Sequence, residues 1–246
     1  MIPGIILQPE SAAVSAVRLN TWFLRPSMSE QITVQDVAHD AEFPELIEGI
    51  RSRRSGHNYD PDEDISDETL EELIRDAAIA PSSYNLQPWE FVAVQDDERL
   101  DEVVDIAYGQ EHIRDAGTAI LVVGHTNAKT ADRVFEEWAE AGRMDEETAQ
   151  QTKAQTAEMY EGDAMGRDYA IRNASLAAQN LMLSAHARGL TATPMIGFDQ
   201  ERIAEFLDLP DDEIPVMLLA VGPSGGDEPE RLPRRSVDEI LHRETY

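Results

Sequence analysis

The sequence predicts an α+β fold in which helices pack in layers against a small sheet. Apolar residues recur at helical spacing in several segments, whereas three short segments have the β-branched residues and flanking turns that are typical of strands. No internal repeat is visible, which favours a layered architecture. The chain has 246 residues and is 41% hydrophobic, so it can bury the core of one sizeable domain or of two small ones, and one domain is the simpler expectation.

Helical spacing predicts a first helix around residues 46–50 and a second over residues 66–80. Ser66 is expected to begin the second helix, whose buried stripe contains Leu70, Leu73, Ile74, Ala77 and Ala78. A third helix is predicted over residues 169–188, where small and aliphatic residues indicate deep burial and Gly189 ends the helix.

Strands are predicted at residues 90–94, 119–124 and 216–221. The first follows a loop, residues 81–89, that two prolines stiffen and that contains four neutral hydrogen-bonding side chains: Ser82, Ser83, Asn85 and Gln87. Two interpretations of this loop remain. It could read the edge of a flat polar ring, or it could be an ordinary helix-to-strand connection whose side chains cap local backbone groups.

The composition excludes several classes of function. With 20 basic and 49 acidic residues the formal net charge is −29, which disfavours binding to nucleic acid or to anionic membranes. No uncharged apolar run is long enough to span a bilayer, so we expect a soluble, cytoplasmic protein. Arg accounts for 18 of the 20 basic residues, and this acidic, lysine-poor composition resembles that of halophilic proteins, with an acidic interaction face as the alternative.

Side chains capable of catalysis are also scarce. The chain has no cysteine, which removes disulfides, thiolate metal sites and thiol nucleophiles. Its six histidines have no metal-ligand spacing, and Ser82 and Ser83 lack the setting of a hydrolase nucleophile. We therefore expect no metal site and no catalytic side chain.

Positive charge is concentrated in two short windows. Arg51, Arg53 and Arg54 form the first, and Arg231 with Arg234 and Arg235 forms the second. Guanidinium groups match phosphate geometry, so the two windows could converge on one phosphate. Pairing of each window with nearby carboxylates is an equally open alternative.

Taken in order, these pieces resemble the FMN-dependent nitroreductase family over roughly residues 43–246. The matching motifs are Arg53-Arg54-Ser55, then Ala80-Pro81-Ser82-Ser83-x-Asn85-x-Gln87-Pro88-Trp89, Gly109-Gln110, Ala178-Gln179-Asn180-Leu181-Met182-Leu183, Gly189-Leu190, Thr193-Pro194-Met195-Ile196-Gly197-Phe198 and Pro233-Arg234-Arg235. Each motif alone is weak, but the ordered set is specific.

The resemblance implies a central, mostly antiparallel sheet flanked by helices, in an intertwined homodimer with two FMN sites at the subunit interface. It further implies that one subunit holds the phosphate and ribityl chain and contacts the flavin ring through these residues: Arg53, Arg54, Ser55, His57, Gln110, Pro194, Met195, Ile196, Gly197, Arg234 and Arg235. The partner subunit would contribute Pro81, Ser82, Ser83 and Asn85.

Two positions depart from the family pattern. The family usually has Arg or Lys where this chain has His57, so the charge near flavin N1 is expected to be weaker or pH-dependent. Some members have Glu where this chain has Ile196, which leaves the nicotinamide or substrate contact there unassigned.

The resemblance implies a ping-pong reaction in which NADH or NADPH reduces FMN, and a small-molecule acceptor such as a nitroaromatic, a quinone or an activated alkene is then reduced. Flavin remodelling, reductive dehalogenation and flavin binding without turnover are the alternatives. In the variable helical excursion, residues 126–167, we expect Trp138, Tyr160 and Met165 to line the acceptor slot or to pack against the partner subunit.

The first 40 residues do not share the pattern of the rest. They combine a short apolar start with a polar stretch, and no cationic region or convincing cleavage site supports a signal peptide. We expect a loosely attached extension followed by the FMN-binding domain at residues 41–246, with Met28 as an alternative start.

Overall fold

The computed structural model describes residues 42–160, 163–226 and 230–246. The predicted N-terminal extension and the alternative start at Met28 lie outside these residues. The described chain divides into two compact units, of which residues 42–232 belong to the larger and residues 233–246 to the smaller. In the smaller unit, Ser236 and Glu239 form a capping box at the start of a four-residue helix.

The elements follow one another in an α+β order. They are α1 (Pro44–Ser52), α2 (Asp67–Ala78), β1 (Trp89–Val94), α3 (Asp97–Ile106), α4 (His112–Asp115), β2 (Ala119–His125), α5 (Ala131–Glu140), α6 (Glu146–Met159), α7 (Asp163–Ala187), β3 (Leu190–Met195), α8 (Gln200–Phe206), β4 (Glu213–Pro223) and α9 (Val237–Ile240).

In the described residues, the four strands form one antiparallel sheet with the order β1-β2-β4-β3. In the register, Trp89 pairs with Gly124 on β2, and Met195 pairs with Leu218 on β4. β2 is buried along its whole length, as expected of a central strand covered on both faces. The α+β class and the antiparallel sheet are therefore confirmed.

Helices cover both faces of the sheet. Alternating residues of β2 point to opposite sides: Leu121 and Val123 pack with α3, α4 and α8, whereas Ile120 and Val122 pack with α2 and α7. A third cluster joins α5 and α6 to Leu86 and to the N-terminal part of α7. The sheet is thus the middle layer, with β1 and β3 as its edge strands.

The predicted stripe of α7 is confirmed, because Ala174, Ala177, Ala178, Leu181 and Ala185 are all buried against the sheet. Small residues on both sides allow this close packing. A Cβ added at Gly124 of β2 would lie 2.9 Å from the Cβ of Ala170. The helix begins at Asp163, six residues before the predicted start.

Ser66 begins α2 as predicted, with its hydroxyl accepting a hydrogen bond from the Thr69 N–H at 3.1 Å. In the described part of the excursion lie α5, α6 and the start of α7, so its predicted helical character is confirmed. Among the described residues, none of the helices is both long enough and apolar enough to cross a membrane.

β3 is an additional strand that the pattern did not predict. It contains Pro194 and alternates small and polar residues, so it lacks the β-branched apolar run of the other strands. Proline is tolerated because β3 lies at the edge of the sheet, where one side of the strand needs no ladder hydrogen bonds.

Candidate functional site

Three segments that are far apart in the sequence meet beside β3. The hydroxyl of Thr193 donates to the Gly56 carbonyl, and the side-chain amide of Gln110 donates to the Gly197 carbonyl at 2.8 Å. The rings of His57 and His112 stack with their centroids 4.1 Å apart. Each of these three segments therefore contacts the other two. We call the segments together, residues 53–57, 110–112 and 193–197, the basic wall.

Arginine side chains also cap the C-terminal end of α1. The Arg54 guanidinium donates to the carbonyls of Arg51 at 3.0 Å and of Ser52 at 2.5 Å, which are groups at the end of the helix that lack helical partners. Arg231, from the second basic window, donates to the carbonyls of Arg51 and Arg53, each at 2.6 Å. Residues of the two windows therefore do meet, but through Arg231.

Within the described part of the chain, Arg54 has no carboxylate at salt-bridge distance. This argues against the alternative in which surrounding acids neutralise it. Arg53 lies 3.5 Å from the Ser55 hydroxyl, at the long limit of a hydrogen bond. A guanidinium and a hydroxyl are thus adjacent on the same short segment, an arrangement that suits a phosphate.

Tyr59 and Thr193 fix the position of residues 53–57, and the sequence analysis did not assign a role to either side chain. Tyr59 is buried, and its hydroxyl lies 2.9 Å from the Thr193 oxygen and 3.0 Å from the Ala220 carbonyl. A chain of hydroxyl groups therefore connects β4, β3 and Gly56. A lone aromatic residue in the polar stretch after the arginines was the signal that could have identified Tyr59.

Gln110 is positioned by the turn after α3. Gly109 has a left-handed φ of 81°, and its N–H donates to the Val104 carbonyl at 2.8 Å, which ends the helix. The Gln110 amide then reaches both the Ala107 carbonyl, at 3.0 Å, and Gly197. Gln110 is therefore part of a defined contact rather than a solvated polar residue.

The end of β3 and the residues that follow it contain both buried and exposed side chains. Met195 is buried in the core, Pro194 is half-buried, and Ile196 is 74% exposed. Gly197 follows and is exposed, with its carbonyl bound to Gln110. Ile196 and Gly197 thus offer an apolar side chain and accessible backbone at the surface of the wall.

His112 is the less accessible member of the stacked pair. Its Nε2 atom is buried and has no hydrogen-bond partner among the described residues. Burial lowers the pKa of His112 below its usual value, the positive charge of His57 lowers it further, and Asp115 acts in the opposite direction. The neutral form of His112 is therefore favoured at physiological pH.

Residues 81–89, which we call the polar loop, have an unusual backbone. Tyr84, Asn85 and Gln87 all have left-handed φ values, between 47° and 57°, around a single 3₁₀ turn at Ser83–Asn85. The buried Leu86 anchors the loop in the core beside α5 and α6. This conformation is more constrained than an ordinary helix-to-strand connection needs.

Polar side chains hold the polar loop in this shape. The Ser82 hydroxyl accepts a hydrogen bond from the Gln87 N–H at 2.9 Å, and the side-chain Oδ1 of Asn173 on α7 accepts one from the Ser83 N–H at 2.9 Å. Asn173 also donates to the Tyr169 carbonyl at 2.7 Å. The side chains of Ser83 and Asn85 make no hydrogen bond within the described residues, so both are available to a ligand.

A groove of about 280 Å³ lies between the polar loop and α7. Its lining consists of Pro81, Ser82, Ser83, Tyr160, Met165, Tyr169, Arg172, Asn173 and Leu176. Tyr160 stacks on Tyr169 with centroids 3.9 Å apart, and the buried Tyr169 hydroxyl has no partner in the described part of the chain. Burial, together with Tyr160, raises the pKa of Tyr169, so this phenol remains protonated.

Two of the three residues that were expected at an acceptor slot or against the partner subunit line this groove, namely Tyr160 and Met165. Trp138 instead packs edge-on against Phe135, at 5.6 Å between centroids, in the cluster of α5 and α6. Trp138 is half-buried in this packing and does not line the groove.

The basic wall and the polar loop lie at opposite edges of the sheet. The loop leads into β1 and the wall is built on β3, and these strands are separated by β2 and β4. At about 4.8 Å between neighbouring strands, β1 and β3 are roughly 14 Å apart. A single subunit thus separates the two groups of residues that the resemblance assigns to one flavin site. Arg234 and Arg235 belong to the smaller unit, and their meeting with Arg53 stays a prediction.

The model of the nitroreductase family matches residues 50–223. The chain belongs to the nitroreductase family. The match includes the basic wall and the polar loop, and it ends before Arg234 and Arg235.

Nitroreductase relatives are similar over most of the chain. A Bacillus subtilis protein named as an NAD(P)H nitroreductase, YodC, is 32% identical over 198 residues, which are 79% of this chain and 98% of YodC. A protein named as a CLA biosynthesis enone reductase, from Lactiplantibacillus plantarum, is 29% identical over 210 residues, or 82% of this chain and 90% of that enzyme. The protein is accordingly an oxidoreductase of the nitroreductase family.

Solved nitroreductase structures share the fold. The ydfN nitroreductase of Bacillus subtilis superposes with a TM-score of 0.76 at 33% identity, covering 83% of this chain and 99% of that one. A nitroreductase from Exiguobacterium sibiricum, solved in complex with FMN, has a TM-score of 0.66 at 29% identity and covers 82% and 97% of the two chains.

Proposed function

We propose that the protein is an FMN-dependent NAD(P)H oxidoreductase that acts as a homodimer, with each FMN between the basic wall of one subunit and the polar loop of the other. The separation of these two regions at opposite sheet edges is the observation that carries this proposal. Each region has only part of a flavin site, and two-fold symmetry would bring the two parts together twice.

The charges of the basic wall and the polar loop suit the anionic phosphate of FMN. Residues 53–57, 81–89 and 194–198 contain no Asp or Glu, although the chain has 49 acidic residues. Arg53, Arg54 and the Ser55 hydroxyl would hold the phosphate, and we propose that Arg234 and Arg235 join them. A permanently charged guanidinium binds a phosphate oxygen pair in any pH range that the protein tolerates.

The neutral groups fit the flavin ring and its surroundings. The polar loop would contribute the Ser83 hydroxyl and the Asn85 amide, which the described residues leave without partners. Gln110 and the backbone at Gly197 would bound the ring from the basic wall. When bound, FMN supplies the redox chemistry, taking a hydride from NADH or NADPH and passing electrons to an acceptor in a ping-pong cycle.

The groove beside the polar loop would accommodate the acceptor. The exposed apolar side chains of Met165 and Leu176 lie in its lining beside the stacked tyrosines, which suits a conjugated acceptor such as a nitroaromatic, a quinone or an activated alkene. The similarity to an enone reductase supports activated alkenes among these acceptors.

Purification and anaerobic reduction test this proposal. We expect a yellow protein with one FMN per chain and the mass of a dimer, and bleaching of the flavin by NADH or NADPH, followed by reoxidation on adding menadione, nitrofurazone or an enone. Because the net charge is −29, the test should be run at high and low salt. A colourless protein that takes up no FMN at either ionic strength would falsify the proposal.

Two further results would assign the alternative functions. FMN bound without bleaching by either nicotinamide would indicate flavin binding without turnover. Bleaching without turnover of nitro, quinone or enone acceptors would favour flavin remodelling or reductive dehalogenation.

A further inference from the structure

Arg54 uses only part of its guanidinium group within the chain. Its Nη1 atom lies 3.0, 2.5 and 3.3 Å from the carbonyl oxygens of Arg51, Ser52 and Arg53, to which it donates. The Nε and Nη2 atoms of Arg54 have no partner within the described residues. These two nitrogens form one edge of the guanidinium plane, a fork that suits two oxygens of a phosphate. The carbonyls at the end of α1 therefore set the direction in which this fork points.

The position of α1 depends on contacts from outside the helix. None of its side chains is buried in the described structure of the chain, and its apolar residues Leu46 and Ile50 are 56% and 50% exposed. A helix without a buried face gains little from the removal of apolar surface from water. Single polar contacts therefore count for more in fixing the end of α1.

His186 makes such a contact. It lies in the last turn of α7, and its Nε2 atom is 2.7 Å from the hydroxyl of Ser52, the last residue of α1. Both residues are half-buried, and either group can be the donor of this hydrogen bond. The alanine stripe of α7 packs against the sheet, so the bond ties the end of α1 to a firmly packed helix.

The two groups of Ser52 thus connect two different partners. Its side chain bonds to His186 on α7, and its carbonyl accepts a hydrogen bond from Arg54. Arg231 supports the same helix end, but through the carbonyls of Arg51 and Arg53. Among these contacts, the bond to His186 is the one that joins Ser52 to α7.

We propose that His186 is a positioning residue that acts through Ser52 and sets the orientation of the phosphate-binding edge of Arg54. His186 stands behind the basic wall in this arrangement, and Arg54 meets the ligand. The inference rests on the proposed function, because the phosphate that Arg54 receives is that of FMN.

Competition between FMN and riboflavin tests this inference. Riboflavin has the same ring and ribityl chain but no phosphate, so the preference for FMN measures the phosphate contact alone. The protein is equilibrated with a fixed mixture of both flavins at one salt concentration, separated from free flavin, and the two bound flavins are quantified by chromatography. We expect His186→Phe and Ser52→Ala each to reduce the wild-type preference for FMN by about five- to tenfold, with riboflavin affinity unchanged.

Three further variants separate the hydrogen bond from general effects. His186→Gln keeps a polar group near the position of Nε2, so it should retain most of the preference. Ser52→Ala combined with His186→Phe should lower the preference no further than one change alone, because both remove the same bond. Ser184→Ala is the matched control, since its hydroxyl on α7 donates to the Asp76 carboxylate of α2 at 2.6 Å, and it should leave the preference unchanged. Thermal unfolding checks that each variant is folded.

The outcomes separate the inference from the proposed function. If the wild type binds neither flavin, the proposed function itself fails. The inference is wrong if the wild type binds both flavins equally, or if a folded His186→Phe or Ser52→Ala keeps the wild-type preference. An equal loss in Ser184→Ala, or the same loss in His186→Gln as in His186→Phe, also contradicts it. A selective loss of FMN in both single variants, without a further loss in the double variant, supports it.

Discussion

The basic wall and the polar loop are built in opposite ways. The wall contains arginines and a histidine pair, and it depends on contacts between three distant segments of the chain. The loop has no charged residue, and most of its shape comes from local hydrogen bonds and three left-handed residues. A charged half and a neutral half are what an anionic ligand with a flat ring would require.

The two regions also share a feature. In each, one polar side chain on a neighbouring element holds the backbone of the site. Thr193 on β3 holds Gly56 of the wall, and Asn173 on α7 holds Ser83 of the loop. Both side chains are buried, so an unmade hydrogen bond at either position would be costly.

The largest expected effect comes from placing a negative charge in one region at a time. Arg53→Glu in the wall and Ser83→Glu in the loop each place a carboxylate where we expect an anionic ligand, so each variant should lose FMN, with affinity reduced by about 100-fold or more. FMN content after gel filtration measures the loss. Circular dichroism and thermal unfolding check that each variant is folded.

Mixed dimers of these two variants test whether the halves come from different subunits. A dimer with one chain of each kind would have one site with both changes and one site with neither. Random assembly would therefore restore FMN to about one quarter of the wild-type sites. If each subunit instead builds its own site, co-expression restores none, and the arrangement proposed above is wrong.

Thr193→Val tests the connection within the basic wall. The change removes the hydroxyl that lies between Gly56 and Tyr59 and leaves a buried carbonyl without its donor. We expect a loss of about 1–3 kcal/mol in the free energy of unfolding, together with weaker FMN binding. Thr118→Val is the matched control, since Thr118 is also buried but bonds to Gln95 away from the wall. Equal FMN affinity in both variants would argue against a positioning role for Thr193.

The sequence was sufficient to predict the parts of the fold that depend on local pattern. The capping serine of α2, the alanine stripe of α7 and the strands β1, β2 and β4 follow from residue spacing and are confirmed. The strand β3 was missed because Pro194 and two threonines hide its extended character. An edge strand accepts such residues, but a sequence alone does not reveal which strand lies at the edge.

The site was predicted less completely, for a related reason. The motifs identified Arg53, Gln110 and Gly197, and the structure joins their segments in the wall. Tyr59 and His112 escaped notice because their roles depend on contacts across 134 and 55 residues, respectively, which leave no periodic signal. Long-range contacts between single polar side chains are set by tertiary packing rather than by local propensity.

Asn173→Leu, on α7, tests the support of the polar loop in the way that Thr193→Val tests the support of the basic wall. Leucine has a similar size but neither bonds the Ser83 N–H nor donates to the Tyr169 carbonyl. We expect a loss of about 1–3 kcal/mol in the free energy of unfolding and weaker FMN binding. Asn180→Leu on the same helix is the control, because its amide reaches only the Asp76 carbonyl at a long 3.4 Å. FMN affinity that falls equally in both variants would indicate a general effect on α7 rather than on the loop.

The smallest expected effect concerns acid stability, which should differ between the two regions. His125 lies behind the polar loop, where its backbone N–H donates to the Pro88 carbonyl at 3.1 Å, and its side chain is only 1% exposed. Burial lowers the pKa of His125, Lys129 lowers it further, and Glu213 and Glu90 oppose this. The folded protein therefore binds a proton less readily than the unfolded chain, whose histidines titrate near pH 6.5.

The stability due to neutral His125 is complete above about pH 6.5 and is lost as pH falls below that value towards the lower pKa of the folded state. His125→Gln should therefore lose less stability than the wild type between pH 7.5 and 5.5, in urea unfolding at constant salt. His112→Phe, in the basic wall, should reduce the loss by a smaller amount, because His112 is less buried than His125. A larger effect of His112→Phe than of His125→Gln would place the main acid-sensitive contact in the wall, contrary to the burial of the two rings.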